Sequence, residues 1–403
     1  MSKRSVGFMS LLAIFLGSAM TACGGGTAGG SASPVPEAAP AQSISASALV
    51  GERIYNDASL SVSGRQSCAS CHAPENAHGP TNEFSVQLGG TDGNVAGFRA
   101  SPSLRYMQQT PAFHFEADGA PIGGFNRDGR SRTLQEQAER PFLSAHEMAN
   151  IDKADVVARL QRASYAAQFK STFGDRIFDN ADEAFSRALF ALQQFEVEDP
   201  RFHPFDSKYD FFLAGKVTLS AAELRGLSLF NNPAKGNCAA CHPSARGADG
   251  KAPLFTDFSY DNLGVPRNAL IAATKDPAYF DLGLCGPDRS DLAKRADLCG
   301  AFKAPTLRNV ATRKVFFHNG VFNNLTDVVR FYVTRDTNPE RWYPVNADGT
   351  VEKFNDLPSA LRANVNTTEA PYNRQPGIAP ALNEAEIADL VQFLGTLSDG
   401  HKP

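Results

Sequence analysis

"GNCAACHPSARG" at 236–247 repeats, nearly residue for residue at its core, the earlier stretch "QSCASCHAPENA" at 66–77. Each holds Cys-x-x-Cys followed directly by His. The pattern has a mechanical reason: two thiols add to the two vinyl groups of one haem, and the adjacent histidine is placed to ligate its iron. A zinc site or a disulfide built from Cys-x-x-Cys is the alternative, yet neither needs a histidine directly after each second cysteine. Cys68, Cys71 and His72, with Cys238, Cys241 and His242, therefore predict two covalently bound c-type haems, His72 and His242 being the proximal ligands.

The repeat is larger than the motif. "GERIYNDASLSVSGRQSCASCH" (51–72) and "GLSLFNNPAKGNCAACH" (226–242) share Gly, two residues, Ile or Leu, an aromatic and Asn. "FRASPSLR" (98–105) matches "FKAPTLR" (302–308), and "FNRDGRSRTLQEQA" (125–138) aligns with "FFHNGVFNNLTDVV" (316–329), Gly129 over Gly320 and Leu134 over Leu325. Three matches in one order predict a duplicated one-haem module. Helical periodicity is read in 218–230, after a Ser220 cap with Glu223 three residues on, and over 153–173, 182–195, 325–333 and 384–397. Strand signals are few, and long Gly/Pro/Asp-rich loops lie between the helices. The expected fold is mainly α: two cytochrome c-like haem domains related by internal duplication, with long loops, spanning 47–205 and 206–403 and meeting near 200–216.

The first residues, "MSKRSVGFMSLLAIFLGSAMTAC", place Lys3 and Arg4 before an apolar run from Val6 to Leu16 and then small residues up to Cys23. That is a secretory signal, too short for a comfortable membrane span. "AMTAC" resembles a bacterial lipobox, so 1–23 reads as a lipoprotein-type signal peptide with Cys23 acylated, plain signal cleavage being the alternative. Residues 24–46, rich in Gly, Ala, Ser and Pro, read as a flexible tether. The folded part is expected in the periplasm, held to the membrane by the lipid anchor only. Of the seven cysteines, Cys285 and Cys299 then remain, and read as a disulfide against two free buried thiols. A net charge of −4 in 403 residues offers no basic stripe for phosphate contacts, which sets nucleic acid aside.

With these segments in place the chain resembles the bacterial di-haem cytochrome c peroxidase and MauG superfamily over nearly all of 47–398. "DGRSRTLQEQAERPFLSAHEM" (128–148), "FTDFSYDNLGVPRN" (255–268) and "FKAPTLRNVATRKVFFHNGVFNNLTDVVRFY" (302–332) carry the resemblance. It implies a first haem that reacts with hydrogen peroxide and a second that passes electrons. It implies Glu147 as the distal acid/base, with Gln137 and Pro141 at distal-pocket positions; on the residues alone Glu147 is a charge near a helix start. A carboxyl in an apolar haem pocket would have its pKa raised toward the working range. At the loop position where some family peroxidases carry a displaceable His, this chain has Leu88 and Gly89, so the first haem is expected to be open in the oxidised enzyme. His78 and His114 are the remaining candidate ligands there.

For the second haem the family peroxidases use Met, but the five methionines are Met1, Met9, Met20, Met107 and Met148. The resemblance puts Tyr332 at that position, the MauG-like His/Tyr arrangement, with His318 as the competing ligand. A phenolate favours ferric and higher-valent iron. Two departures stand out. Arg127 occupies the place of an inter-haem Trp, so Tyr106, Tyr332 or direct tunnelling would have to serve as the relay. The side-chain ligands of the family's calcium align with Ala100 and Arg313, which makes calcium doubtful. The resulting expectation is a peroxide-dependent oxidoreductase drawing electrons from a protein donor, a small cytochrome, a cupredoxin or a protein substrate. A non-catalytic di-haem electron carrier is the second class. A thiosulfate-oxidising di-haem enzyme, the third, would want a Cys or Met ligand that is lacking near either haem.

Overall fold

Ten α-helices carry most of the regular structure of the computed structural model, which describes residues 43–403. They are α1 (Ala46–Asn56), α2 (Cys68–Cys71), α3 (Leu134–Leu143), α4 (Lys153–Leu160), α5 (Ala166–Phe173), α6 (Ala181–Glu198), α7 (Lys208–Leu213), α8 (Ala221–Asn231), α9 (Leu325–Thr334) and α10 (Glu384–Gly395). Strands are confined to three antiparallel two-residue ladders: Leu88–Gly89 on Val95–Ala96, His114–Phe115 on Pro121–Ile122, and Tyr260–Asp261 on Phe302–Lys303. The fold is thus mainly helical, as expected. The signal segment, Cys23 and most of the tether lie outside the described residues. Among the described residues no helix is long and apolar enough to cross a membrane.

Helix starts follow from local chemistry. At α8 the Ser220 hydroxyl accepts the Glu223 N–H while the Glu223 carboxylate accepts the Ser220 N–H, so two otherwise orphaned donors are satisfied reciprocally. At α1 the Ser45 hydroxyl accepts from the Ala48 N–H and donates to Glu198 at the far end of α6. The last residues of the expected tether are therefore structured: Ser45 is a cap and Ala46 opens the helix. The periodic stretch 153–173 is two helices instead of one. After Leu160 the chain closes in tight turns, Arg162 N–H to Arg159 and Ala163 N–H to Leu160, and Tyr165 is buried with its hydroxyl on Asp57.

Two helix pairs are built alike. α1 packs on α6 at Gly51, where a Cβ would lie 2.0 Å from the Ala191 carbonyl oxygen and 2.8 Å from Phe195 Cβ. α8 packs on α10 at Gly226, where a Cβ would lie 2.1 Å from the Asp389 carbonyl oxygen and 2.7 Å from Phe393 Cβ. Only a residue without a side chain permits either approach. The first helix of each pair, α1 or α8, lies just ahead of, and against, a Cys-x-x-Cys-His segment. The turns leading into α3 and α9 match as well: Phe125 bridges Ser131 and Phe316 bridges Phe322, with Asn126 and Phe317 both at φ 64°.

Buried apolar residues form one cluster from Val50 to Phe202, a second from Tyr209 to Leu397, and a small third around Phe331, Tyr343 and Phe354. Residues Ile44–Pro403 nonetheless make one compact unit. Buried ion pairs brace it. Arg308 donates twice to Asp210, at 2.8 and 2.9 Å, and Arg105 reaches Asp399 at 2.8 Å. Cys285 and Cys299 form a disulfide with Cα atoms 5.0 Å apart, closing the loop between them.

Candidate active site

The second Cys-x-x-Cys-His segment borders a large cavity. Cys238, Cys241, His242 and Tyr332 all line it, together with apolar side chains that include Phe230, Leu307 and Val328. His242 Nδ1 lies 2.7 Å from the Phe255 carbonyl, which as an acceptor fixes the proton on Nδ1 and leaves Nε2 with its lone pair free. Burial holds the imidazole below its ordinary pKa, in the neutral form that a metal requires. Cys238 and Cys241 are free thiols, and burial pushes them up to about 12 and about 11, so they are protonated thiols suited to addition across a vinyl group. An apolar slot with two thiols, one free imidazole nitrogen and a phenol fits a covalently held haem.

Tyr332 comes from the third turn of α9, and its ring packs near Phe317 and Tyr372. Its hydroxyl has no hydrogen-bond partner among the described residues. Burial first, then the Asp261 carboxylate and the Cys238 and Cys241 sulfurs, raise its pKa, with Arg335 acting in the opposite direction. His318 also lines the cavity, but its Nε2 is 3.2 Å from Asp356 and its ring is stacked 3.9 Å over Phe302.

At the first segment the same logic recurs. His72 Nδ1 is 3.0 Å from the Pro102 carbonyl and 3.3 Å from that of His78, again leaving Nε2 free, and burial lowers its pKa to about 4. Burial raises Cys68 to about 12 and Cys71 to about 11, and the Glu147 carboxylate adds to both shifts. Glu147 thus sits within electrostatic reach of both thiols. Its own pKa is raised by burial, lowered in part by Arg140 and Arg130, and raised again by Asp288. The "SAHEM" turn is clamped by the Leu88–Gly89 strand: Gly90 N–H donates to the Glu147 carbonyl at 2.7 Å, and a Cβ on Gly89 would lie 2.1 Å from the His146 carbonyl oxygen. Position 89 therefore presents no side chain at all. Gln137 and Pro141 lie on α3, one turn apart.

The other candidates fall elsewhere. His78 is buried in the proximal-side core, stacked 3.9 Å from Phe202, and His114 is exposed on a strand beside Glu116. Tyr106 is buried and donates to Asp399 at 2.5 Å. Arg127 donates to the Ala100 carbonyl and Arg313 to that of Ser101.

Two residues near the first segment went unnoticed in the sequence. Glu196 on α6 is buried, with one carboxylate oxygen lacking any partner, and burial pushes its pKa up to about 8. Asp288, in the disulfide-closed loop, pairs with Arg140 at 2.7 Å. A carboxyl inside an otherwise apolar helix face, "ALQQFE", was the available signal for Glu196.

Comparison with known proteins agrees with this geometry. The family model described as di-haem cytochrome c peroxidase matches residues 45–218. The methylamine utilization protein MauG of Paracoccus denitrificans is 37% identical over 71% of this chain and 73% of its own. The cytochrome c551 peroxidase of Nitrosomonas europaea is 28% identical over 84% of this chain and 89% of its own. Among solved structures, the diheme peroxidase BthA from Burkholderia thailandensis superposes with a TM-score of 0.81 at 38% identity, over 88% of this chain and 86% of that one. The chain belongs to the di-haem cytochrome c peroxidase and MauG family, and is a peroxide-dependent di-haem oxidoreductase with two c-type haems.

Proposed function

We propose that the two haem sites divide the work. Cys68, Cys71 and His72 would hold the haem that reacts with peroxide, and Cys238, Cys241, His242 and Tyr332 the haem that stores or passes the oxidising equivalents. The net reaction takes H₂O₂, two protons and two electrons to two waters. Haem iron supplies the redox chemistry when bound. The chain supplies proton movement: the Glu147 carboxylate would accept a proton from one peroxide oxygen and return it to the other, which departs as water. Gln137 orients peroxide by hydrogen bonding. Burial raises the Glu147 pKa above its ordinary value, which favours the return of the proton.

The observation that carries this reading is the contrast between the two helices after the matching turns. α9 presents a phenol with no hydrogen-bond partner among the described residues to the large cavity, whereas the equivalent eighth residue of α3 is Pro141, whose side chain has no atom to give an iron. The matching helix pairs and turns favour descent of 47–205 and 206–403 from one duplicated module. Electrons come from a protein donor, either a small cytochrome, as the name of the Nitrosomonas relative suggests, or a cupredoxin, or a protein substrate whose side chain is oxidised, as suits a MauG relative. The expected working place is the periplasm, with the chain anchored by lipid at Cys23.

The test is one equivalent of H₂O₂ added to the fully oxidised holoprotein with no reductant, followed by visible and near-infrared spectroscopy. A prompt spectral change that decays faster with a candidate donor is expected. No reaction until one haem has been reduced would overturn the open first site.

A further inference from the structure

Of the cationic side chains that line the large cavity without a carboxylate partner, Lys314 is exposed and three are not. Arg127 Nε donates to the Ala100 carbonyl at 2.9 Å, Arg313 donates to the Ser101 and Val315 carbonyls, each at 3.2 Å, and Lys303 Nζ donates to the Gly124 carbonyl. None of the three forms an ion pair among the described residues. The acids around them are taken. Arg99 holds Asp281 through two bonds of 2.6 and 2.7 Å, Arg99 and Arg130 share Asp128 at 2.7 and 2.8 Å, and Asp356 accepts from His318 and Asn319. Burial depresses all three cations, Arg127 to about 9, Arg313 to about 10 and Lys303 to about 8. Arg313 adds to the shift of Arg127, and Arg127 to that of Lys303. Desolvated like charges that repel one another are costly unless an anion joins them.

We infer that Arg127, Lys303 and Arg313 receive the propionate carboxylates of the bound haems. Each haem carries two such carboxylates, on the edge opposite the one joined to the cysteines, so a haem held through Cys238 and Cys241 would turn them toward the part of the cavity away from those thiols. Arg313 donates to the Ser101 carbonyl, and the carbonyl of the next residue, Pro102, lies 3.0 Å from His72 Nδ1, so Arg313 also borders the first haem segment. Guanidinium groups match carboxylate geometry with paired N–H donors, and the ammonium of Lys303 adds a compact third charge. Arg127 stands where the family resemblance expects Trp, and Arg313 at a position expected to ligand calcium. Here the positive charge between the haems is built into the chain, and no metal is needed to supply it.

A fixed cation beside a propionate favours the reduced haem, which carries one positive charge fewer at iron. The test is anaerobic spectropotentiometry of both haems in the holoprotein, which reads midpoints whether or not the enzyme turns over. R127Q, R313Q and K303Q are expected to shift one or both midpoints to lower potential, and R127K and R313K to hold them near the wild type. In the wild type, calcium or a chelator should move neither midpoint, and nor should phosphate at constant ionic strength; this arm needs no variant to fold. Unchanged midpoints in all three Gln variants would overturn the inference. A wild-type midpoint that tracks phosphate would identify a free anion as the occupant, and one that tracks calcium would restore a metal; either would overturn it too.

Discussion

Pro141 and Tyr332 hold the same place in two matching helices: each is the eighth residue of its helix, α3 from Leu134 and α9 from Leu325, and each helix follows a bridged turn with a residue at φ 64°. One framework thus carries a phenol at this place in α9 and, in α3, a proline ring with no donor atom. Tyr332→Phe should leave the first haem unchanged and convert the second to a species with an exchangeable sixth position. Electron paramagnetic resonance and visible spectra of the ferric protein, with and without added imidazole, check this. An unchanged second-haem spectrum would sink the ligand assignment.

Glu147 gives a kinetic prediction with a sign. Glu147→Gln should slow the peroxide reaction by about 10²–10⁴-fold while both haem spectra persist. In the wild type the base form of Glu147 is needed, so the rate should rise with pH through a carboxyl pKa that burial raises from its ordinary value. Asp288 raises that pKa and Arg140 lowers it. Asp288→Asn should therefore move the acid limb to lower pH, and Arg140→Gln should move it to higher pH. Stopped-flow rates across pH read both shifts, and limbs that move together would refute the electrostatic account.

Haem attachment was legible in the sequence because its chemistry is local: thiol, thiol and imidazole must sit within five residues. Helix starts such as Ser220 with Glu223 were legible for the same reason. What the sequence hid depends on distant partners. Asp288 reaches Arg140 from 148 positions away. Glu196 is a lone buried carboxyl only because α6 turns that face toward Cys68 and Tyr55. The break after Leu160 was hidden by continuous apolar spacing, and appears once Tyr165 is seen anchored on Asp57.

The Arg308–Asp210 pair predicts an acid limit to stability. Burial opposes ionisation of Asp210, but the two bonds and the charge of Arg308 outweigh it, so its pKa lies below the ordinary value. Such a group stabilises the fold above the unfolded-state pKa, and that contribution disappears as pH falls through the folded-state pKa. Asp210→Asn leaves the Arg308 charge buried and should cost about 3–5 kcal/mol near neutral pH. Chemical denaturation of the holoprotein should show the gap from wild type narrowing below about pH 4. A gap that stays constant with pH would assign the loss to packing.

Gly51 and Gly226 allow a comparison of the two halves under one perturbation. An added methyl meets backbone oxygen at 2.0 Å on α6 in one case and at 2.1 Å on α10 in the other, so a helix has to move in both. Alanine's better helix propensity returns at most about 1 kcal/mol, whereas overpacking of this kind costs about 1–3 kcal/mol, occasionally more. Gly51→Ala and Gly226→Ala should each lower the melting temperature. Because each helix pair abuts its own haem segment, Gly51→Ala should perturb the spectrum of the first haem and Gly226→Ala that of the second. Spectra resolved by haem under identical conditions decide it: if either variant disturbed only the haem of the other half, the helix pairs would not be the local supports of their adjacent sites.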